Sequence, residues 1–327
     1  MPRVALANLL GRRVVVRRVA ERSAAGARYA DVVGVLVTAD PDRLAVRRSD
    51  GTVQAVELPD VHRVKQVPAS VADMLAVEEV AALGWPALDT RWLGRWLLRA
   101  AGGWTGRANS VLPLGEPGLP LDPALAEVAG WYRRHDLPAR FQVPLPARTG
   151  LDDALAERGW TAYNPTAVLT ADVPVTLAAL PDRAGLPPVT LDPAPSVAWL
   201  GAYHYRGGTE LPDFAVRLMT GAAHPAFASV VDGGTVLAVG RGVLDRGWLG
   251  VTAVEVAPDQ RRRGLATHLM RALLGWAAGH RATAAYLQVA EENAAGLAFY
   301  QRLRFARHHQ YHYRLAPDRR RTAEEGS

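Results

Sequence analysis

Cysteine is absent from the 327 residues, so disulfides, thiolate metal ligands and thiol nucleophiles are excluded. Lysine occurs once, at Lys65, and the other 37 basic residues are arginine. With abundant Ala, Gly and Pro, that skew points to a GC-rich coding bias, so much of the arginine carries no message about partners. Long apolar runs are missing too, and nothing reaches the roughly 18 residues a transmembrane helix needs. The apolar run Val4–Leu10 is only seven residues long and Arg12 and Arg13 follow it, so it reads as a first strand or helix and not as a secretory signal. The expected compartment is the cytoplasm, with no membrane partner.

Hydrophobic residues make up 49% and charged residues 21%, enough to build a core and too regular for a disordered, collagen-like or coiled-coil chain. The net charge of +6 would suit nucleic acid or a phosphorylated ligand. The arginines are scattered, however, with triplets only at Arg261–Arg263 and Arg319–Arg321. Trp92, Trp96 and Trp104 read as core anchors, and the basic-aromatic clustering of a nucleic-acid surface is missing.

Residues 1–67 read as five valine-rich strands, with Asp50-Gly51 as a hairpin turn. They suggest a small SH3-like barrel. Residues 70–170 mix helices and strands: helices at 71–83 and 91–101, a strand at 107–114, a helix from Asp122 to Arg134, a strand at 139–143, a helix at 151–158 and a strand at 163–170. Six prolines between 171 and 195 mark a linker. Residues 196–315 read as helix, helix, three strands, helix, strand, helix, strand, with Asp232-Gly233-Gly234 as a hairpin. Leu265, Leu269, Leu273 and Trp276 form one apolar stripe of the central helix. Residues 316–327 read as a flexible tail. Phe141-Gln142-Val143, a helix, then Trp160 and a strand echoes Leu287-Gln288-Val289, a helix, then Phe305 and a strand, which suggests two copies of one half-fold. The fold class is α+β: a barrel, then a tandem region around a mixed sheet with its second half complete.

The chemistry concentrates in Val254-Glu255-Val256-Ala257-Pro258-Asp259-Gln260-Arg261-Arg262-Arg263-Gly264-Leu265-Ala266-Thr267. A strand, a tight polar loop and a helix N-terminus present free backbone N–H groups and a positive dipole end to an anion. Gly264 and Ala266 keep side chains out of the way of a diphosphate, and three arginines add charge. Downstream, Asn293 and Tyr300 stand seven residues apart.

Arg261-x-x-Gly264-x-Ala266, Leu287-Gln288-Val289, Asn293 and Phe299-Tyr300 together resemble the GNAT superfamily of acyl-CoA-dependent N-acyltransferases, over about residues 196–315. The whole layout is similar to actinobacterial proteins with an SH3-like N-terminus and a GNAT C-terminus. The resemblance implies an N-acetyltransferase that uses acetyl-CoA as co-substrate and a primary amine as acceptor. It implies pantetheine along Val254 and Val256, the diphosphate at Arg261, Arg262, Arg263, Gly264, Leu265, Ala266 and Thr267, Asn293 on the pantetheine, and Tyr300 as general acid to the departing thiolate. Phenol and thiol pKa values of about 10 and 8.5 are compatible with that transfer.

Departures are visible. Arg304 stands where the family often has glycine, and Gln288 stands where a glutamate base is frequent. Glu255 is the nearest candidate base, with its face undetermined; His204, Glu210 and Asp213 are weaker ones, and an amine arriving neutral needs none. In the 70–170 half, Gly118-Leu119-Pro120-Leu121-Asp122 lacks a basic residue and Leu155 takes the place of the tyrosine, so that half should bind no cofactor and shape the acceptor pocket instead. His308 and His312 share a strand face but lie about 13 Å apart at 3.3 Å per residue, so no metal site is expected. Two other function classes stay open: a non-catalytic acyl-CoA sensor, which the retained Tyr300 argues against, and a nucleic-acid-associated protein using the barrel.

Overall fold

The computed structural model describes residues 6–23, 26–204, 208 and 211–317. Residues 1–5, Glu210, Arg319–Arg321 and most of the expected tail lie outside the described residues.

The N-terminal strands are β1 (Arg13–Ser23), β2 (Gly26–Ala39), β3 (Arg43–Arg47), β4 (Val53–Glu57) and β5 (Val61–Gln66). Alternation does the sorting: Val14 and Val16 are buried against Leu36, Leu44, Val46, Val56 and Val64, while Arg17 and Arg47 point elsewhere. The β3–β4 turn uses Gly51 at φ +85°, and the Asp50 carboxylate accepts from the Thr52 amide at 2.9 Å. The five strands form one sheet in the order β4-β3-β2-β1-β5. A 3₁₀ turn at Leu58–Asp60 carries the chain from one edge to the other, and no ladder joins β4 to β5 among the described residues. The expected barrel is therefore not closed, because closure requires the edge strands to pair.

The rest of the chain holds α1 (Val71–Gly84), β6 (Asp89–Leu93), β7 (Trp96–Ala100), β8 (Leu112–Pro113), α2 (Leu121–Arg134), β9 (Arg140–Leu145), α3 (Thr149–Glu157), β10 (Thr161–Asp172), α4 (Val173–Ala179) and β11 (Val189–Asp192). Then come α5 (Val197–Ala202), α6 (Ala215–Thr220), β12 (Pro225–Asp232), β13 (Thr235–Asp245), β14 (Trp248–Val256), α7 (Leu265–Gly279), β15 (Ala284–Ala290), α8 (Ala294–Arg302) and β16 (Ala306–Leu315). The helix expected at 91–101 is instead the β6–β7 hairpin, turning at Gly94 with φ +54°. The strand expected at 107–114 is a 3₁₀ turn at Arg107–Asn109 followed by the two residues of β8. The proline-rich stretch 171–195 holds α4 and β11 and is fastened to α7: Arg271 donates to the Leu180 carbonyl at 2.9 Å, and His268 lies 3.0 Å from the Pro187 carbonyl.

The main sheet has eight strands in the order β11-β12-β13-β14-β15-β10-β16-β9. Its ladders are antiparallel except β14–β15, which is parallel, so the fold is α+β with a mixed sheet. β9 and β10 come from the 70–170 stretch, and β10 lies between β15 and β16. Exchanging β9 with β15 and β10 with β16 reverses the order β9-β16-β10-β15 onto itself.

One face of the sheet carries α7, whose Leu265, Leu269, Leu273 and Leu274 pack with Leu249, Leu287 and Phe305. The other face carries α1, α5 and α6, with Trp85, Trp199, Phe227 and Val239 in one cluster and Val80, Tyr286 and Tyr311 in the next. Tyr286 passes between Gly84 and Gly250, at both of which a Cβ would collide with its hydroxyl. The N-terminal sheet docks through Arg47, whose guanidinium pairs with the buried Asp172 carboxylate at the N-cap of α4.

Candidate active site

The parallel ladder between β14 and β15 runs only from Trp248–Val251 against Ala284–Leu287. Beyond it β14 stays with β13 and bulges: Arg241 pairs with Thr252, Val239 with Glu255, and Ala253 sits at φ +55°. The two central strands therefore part after Val251 and Leu287. Val254 and Val256 pack toward the α7 face. The β14 edge turned to the gap is thereby left outside the β15 ladder, where an extended ligand arm can lie.

Glu255 points to the opposite face. Its carboxylate accepts the His204 backbone N–H at 2.8 Å and lies 3.0 Å from His204 Nδ1. Two of the residues weighed as bases in the sequence thus form one pair, beside a pocket of about 350 Å³. Asp213 is exposed before α6.

After Pro258–Gln260, which form a 3₁₀ turn, Arg262 adopts φ +63° and Gly264 φ +86° as the N-cap of α7. The first helical bond is His268 N–H to the Gly264 carbonyl at 3.0 Å. The N–H groups of Leu265, Ala266 and Thr267 therefore have no acceptor within the helix. Leu265 places its side chain in the core, so only its backbone serves the loop. Arg261 donates to the Val256 carbonyl at 3.4 Å and Arg263 to Gln260. One residue that sequence reasoning missed joins them: the Arg183 guanidinium lies 3.3 Å from where a Cβ on Gly264 would stand. Its only signal in the sequence is a positive charge in a proline-rich stretch, with nothing local to tie it to Gly264.

Asn293 caps α8, its Oδ1 accepting the Gly296 N–H at 2.9 Å, which leaves its amide nitrogen to donate. Two turns on, Tyr300 is half-buried beside Phe299 and Phe305, and burial pushes its phenol well above the ordinary tyrosine value. It is protonated at neutral pH, as a proton donor must be. Gln288 lies on the face away from α7, accepting from Arg107 at 2.9 Å.

The three histidines of β16 fall into two groups. His309 pairs with Glu78 at 2.9 Å and stands 2.8 Å from His308, whereas His312 pairs with Asp152 at 2.6 Å. Leu155, which the sequence reading sets against Tyr300, is buried in a hydrophobic cluster. No helix among the described residues is long and apolar enough to cross a membrane.

Comparison with known proteins agrees with this arrangement. The family model described as "Probable histone acetyltransferase Rv0428c C-terminal" matches residues 71–314. The "Probable histone acetyltransferase Rv0428c" of Mycobacterium tuberculosis is 33% identical over 319 residues, covering 93% of this chain and 94% of that protein. The "Uncharacterized N-acetyltransferase YobR" of Bacillus subtilis is 28% identical over 251 residues, covering 74% of this chain and 98% of its own length. Among solved structures, a GCN5-related N-acetyltransferase from Kribbella flavida shares the fold with a TM-score of 0.56 at 18% identity, over 75% of this chain and 96% of that one. A loop-capped helix beside two parting strands, inside a matched span of that extent, makes this chain a member of the Rv0428c C-terminal family and a GNAT N-acetyltransferase.

Proposed function

We propose that the protein transfers the acetyl group of acetyl-CoA to a primary amine by direct attack. The observation that carries this reading is the N-terminus of α7 at Gly264, placed at the end of the strand that parts from β15. The residues fit a nucleotide diphosphate: three N–H groups without helical acceptors, a glycine where a side chain would intrude, and Arg261, Arg262, Arg263 and Arg183 around them. Acetyl-CoA would supply the activated acyl group as a thioester.

Val254 and Val256 would hold the pantetheine by backbone groups, and the free amide nitrogen of Asn293 would donate to it. Tyr300 would hand its proton to the departing sulfur. Glu255, oriented by His204, would take the proton of the attacking amine directly or through water. Residues 70–170 would carry no cofactor and would wall the acceptor side, and the N-terminal sheet would be an open SH3-like module. The M. tuberculosis relative is named a probable histone acetyltransferase, and the side-chain amines of a histone belong to this class. The work would take place in the cytoplasm.

Calorimetry with acetyl-CoA, followed by thiol release on a panel of amines, tests the reading. Binding with turnover supports it. Binding with no turnover on any amine would replace it with a sensor, and salt-sensitive binding of DNA or RNA without acetyl-CoA binding would replace it with a nucleic-acid protein.

A further inference from the structure

We propose that the amine acceptor also carries a carboxylate, which Arg107 binds with Arg241 as a second positive charge behind it. This deepens the acetyl-transfer reading and rests on it.

Arg107 belongs to the half that lacks a cofactor loop, yet it reaches the place where β14 and β15 part, donating from Nη1 to Gln288 Oε1 at 2.9 Å. Its loop is fixed before any ligand arrives. Fully buried Asn109 accepts the N–H groups of Ala101 and Gly103 at 2.7 and 2.9 Å and donates to the Thr105 carbonyl at 2.7 Å. Gly106 abuts Tyr313 so closely that a Cβ would stand 2.6 Å from its ring. Arg107 is thus presented by a rigid loop, not by a mobile one.

Arg241 is fully buried on β13. Its Nε donates to the Met219 carbonyl at 2.8 Å, and its Nη1 to the Gly84 carbonyl at 3.0 Å and the Thr252 hydroxyl at 3.3 Å. Among the described residues its Nη2 is buried without an acceptor, and so is Nε2 of Gln288. Arg107 and Arg241 each stand 5.1 Å from the centre of the Trp85 ring. Burial, with Arg107 adding to it, lowers Arg241 to about 9.

A buried guanidinium whose hydrogen-bond partners among the described residues are all neutral is costly to keep, unless a ligand supplies the opposite charge. A carboxylate has acceptor oxygens only and matches a guanidinium in two-pronged fashion. Glu255 lies on the same face of the sheet, across the gap. One end of the site therefore suits an ammonium or amine and the other a carboxylate, the layout of an amino acid. The chain's net charge of +6 opposes a lysine-rich peptide in the same place.

The full-length protein is assayed by thiol release from acetyl-CoA with matched amines: L-phenylalanine against phenethylamine, L-leucine against isopentylamine, L-lysine against cadaverine, and a lysine-rich histone-tail peptide. The carboxylated member should have a kcat/KM about 10- to 100-fold higher through KM, the value of one charge-assisted hydrogen bond. Arg107→Met should collapse that ratio, and Arg107→Lys should restore part of it. Calorimetry with free CoA should show N-acetyl-L-phenylalanine binding about tenfold or more tighter than N-acetylphenethylamine, independently of turnover. Ratios near one in the wild-type protein, or the peptide outrunning every small acid, overturn the proposal while leaving acetyl transfer intact. If Arg107→Met does not fold, the wild-type ratios and the product affinities still decide. Thiol release on none of these amines overturns the acetyl-transfer reading and this proposal with it.

Discussion

Gly264 separates two things a substitution can break, the helix start and the proposed diphosphate site. The residue holds φ +86°, so any side chain adds a left-handed strain of about 1–2 kcal/mol. A Cβ there would meet no backbone, only the flexible end of Arg183 at 3.3 Å. Gly264→Ala should thus cost about 1–2 kcal/mol of stability and little else in the free protein. Gly264→Glu brings the same strain but sets a carboxylate against three free N–H groups and Arg183, which returns about 0.3–1 kcal/mol through the helix dipole. The two variants should be similarly stable in urea. They should differ in affinity, because on the proposed reading the glutamate would fill the diphosphate site with charge of the wrong sign. Losing two charge-assisted hydrogen bonds at about 1.5–3 kcal/mol each predicts acetyl-CoA binding at least about 100-fold weaker for Gly264→Glu than for Gly264→Ala. Calorimetry on both, with urea melts as controls, measures this. A folded Gly264→Glu protein that binds acetyl-CoA with wild-type affinity would show that the N-terminus of α7 is not the diphosphate site.

Three further outcomes follow from particular contacts. Tyr300→Phe should keep acetyl-CoA affinity and lower kcat by about 10²–10⁴, measured by thiol release; an equal loss of binding would assign the phenol to packing. Arg47→Ala strands the buried Asp172 carboxylate, which burial already pushes up, and should cost about 3 kcal/mol by urea unfolding, with a fall below 1 kcal/mol counting against the docking role of this pair. His308 is held down to about 4 by burial and by His309, so between that value and its ordinary 6.5 the unfolded chain binds a proton the fold refuses. Stability should therefore fall as pH drops from 6.5 toward 4, by at most about 3 kcal/mol and nearer 1–2 after solvent screening, and His308→Asn should flatten that slope in melts at each pH.

The C-terminal third was readable because its signals are local. Gly233 and Gly234 both take positive φ in the β12–β13 turn, the α7 stripe repeats at helical spacing, and the Arg261–Thr267 loop is contiguous. The β6–β7 hairpin was not, because Trp92, Leu93, Trp96 and Leu97 recur at helical spacing and only Gly94 marks the turn. The face of Glu255 was undetermined because the bulge at Ala253 shifts the alternation of β14 by one residue. Arg107, Arg183 and Arg241 were hidden among 37 arginines, since burial and approach across 80 to 180 residues leave no trace in local pattern.

The position of β10 has the widest consequence. A strand's sequence records that both its faces are buried, as in Val168 and Leu169, but not which strands it joins. Here it pairs with β15 on one side and β16 on the other, so the strand that carries Gln288 is fixed from the 70–170 stretch. The same stretch delivers Arg107 to that glutamine, and α4 and the proline-rich segment hold Arg183 over Gly264. A fragment beginning near residue 196 would keep the Arg261–Thr267 loop and Tyr300 yet lose the partner of both β15 and β16, leaving two edges to find each other. The motif residues and the residues that position them are thus divided between the two stretches. On the proposed reading the shared sheet, not either half, would be the unit on which the chemistry depends.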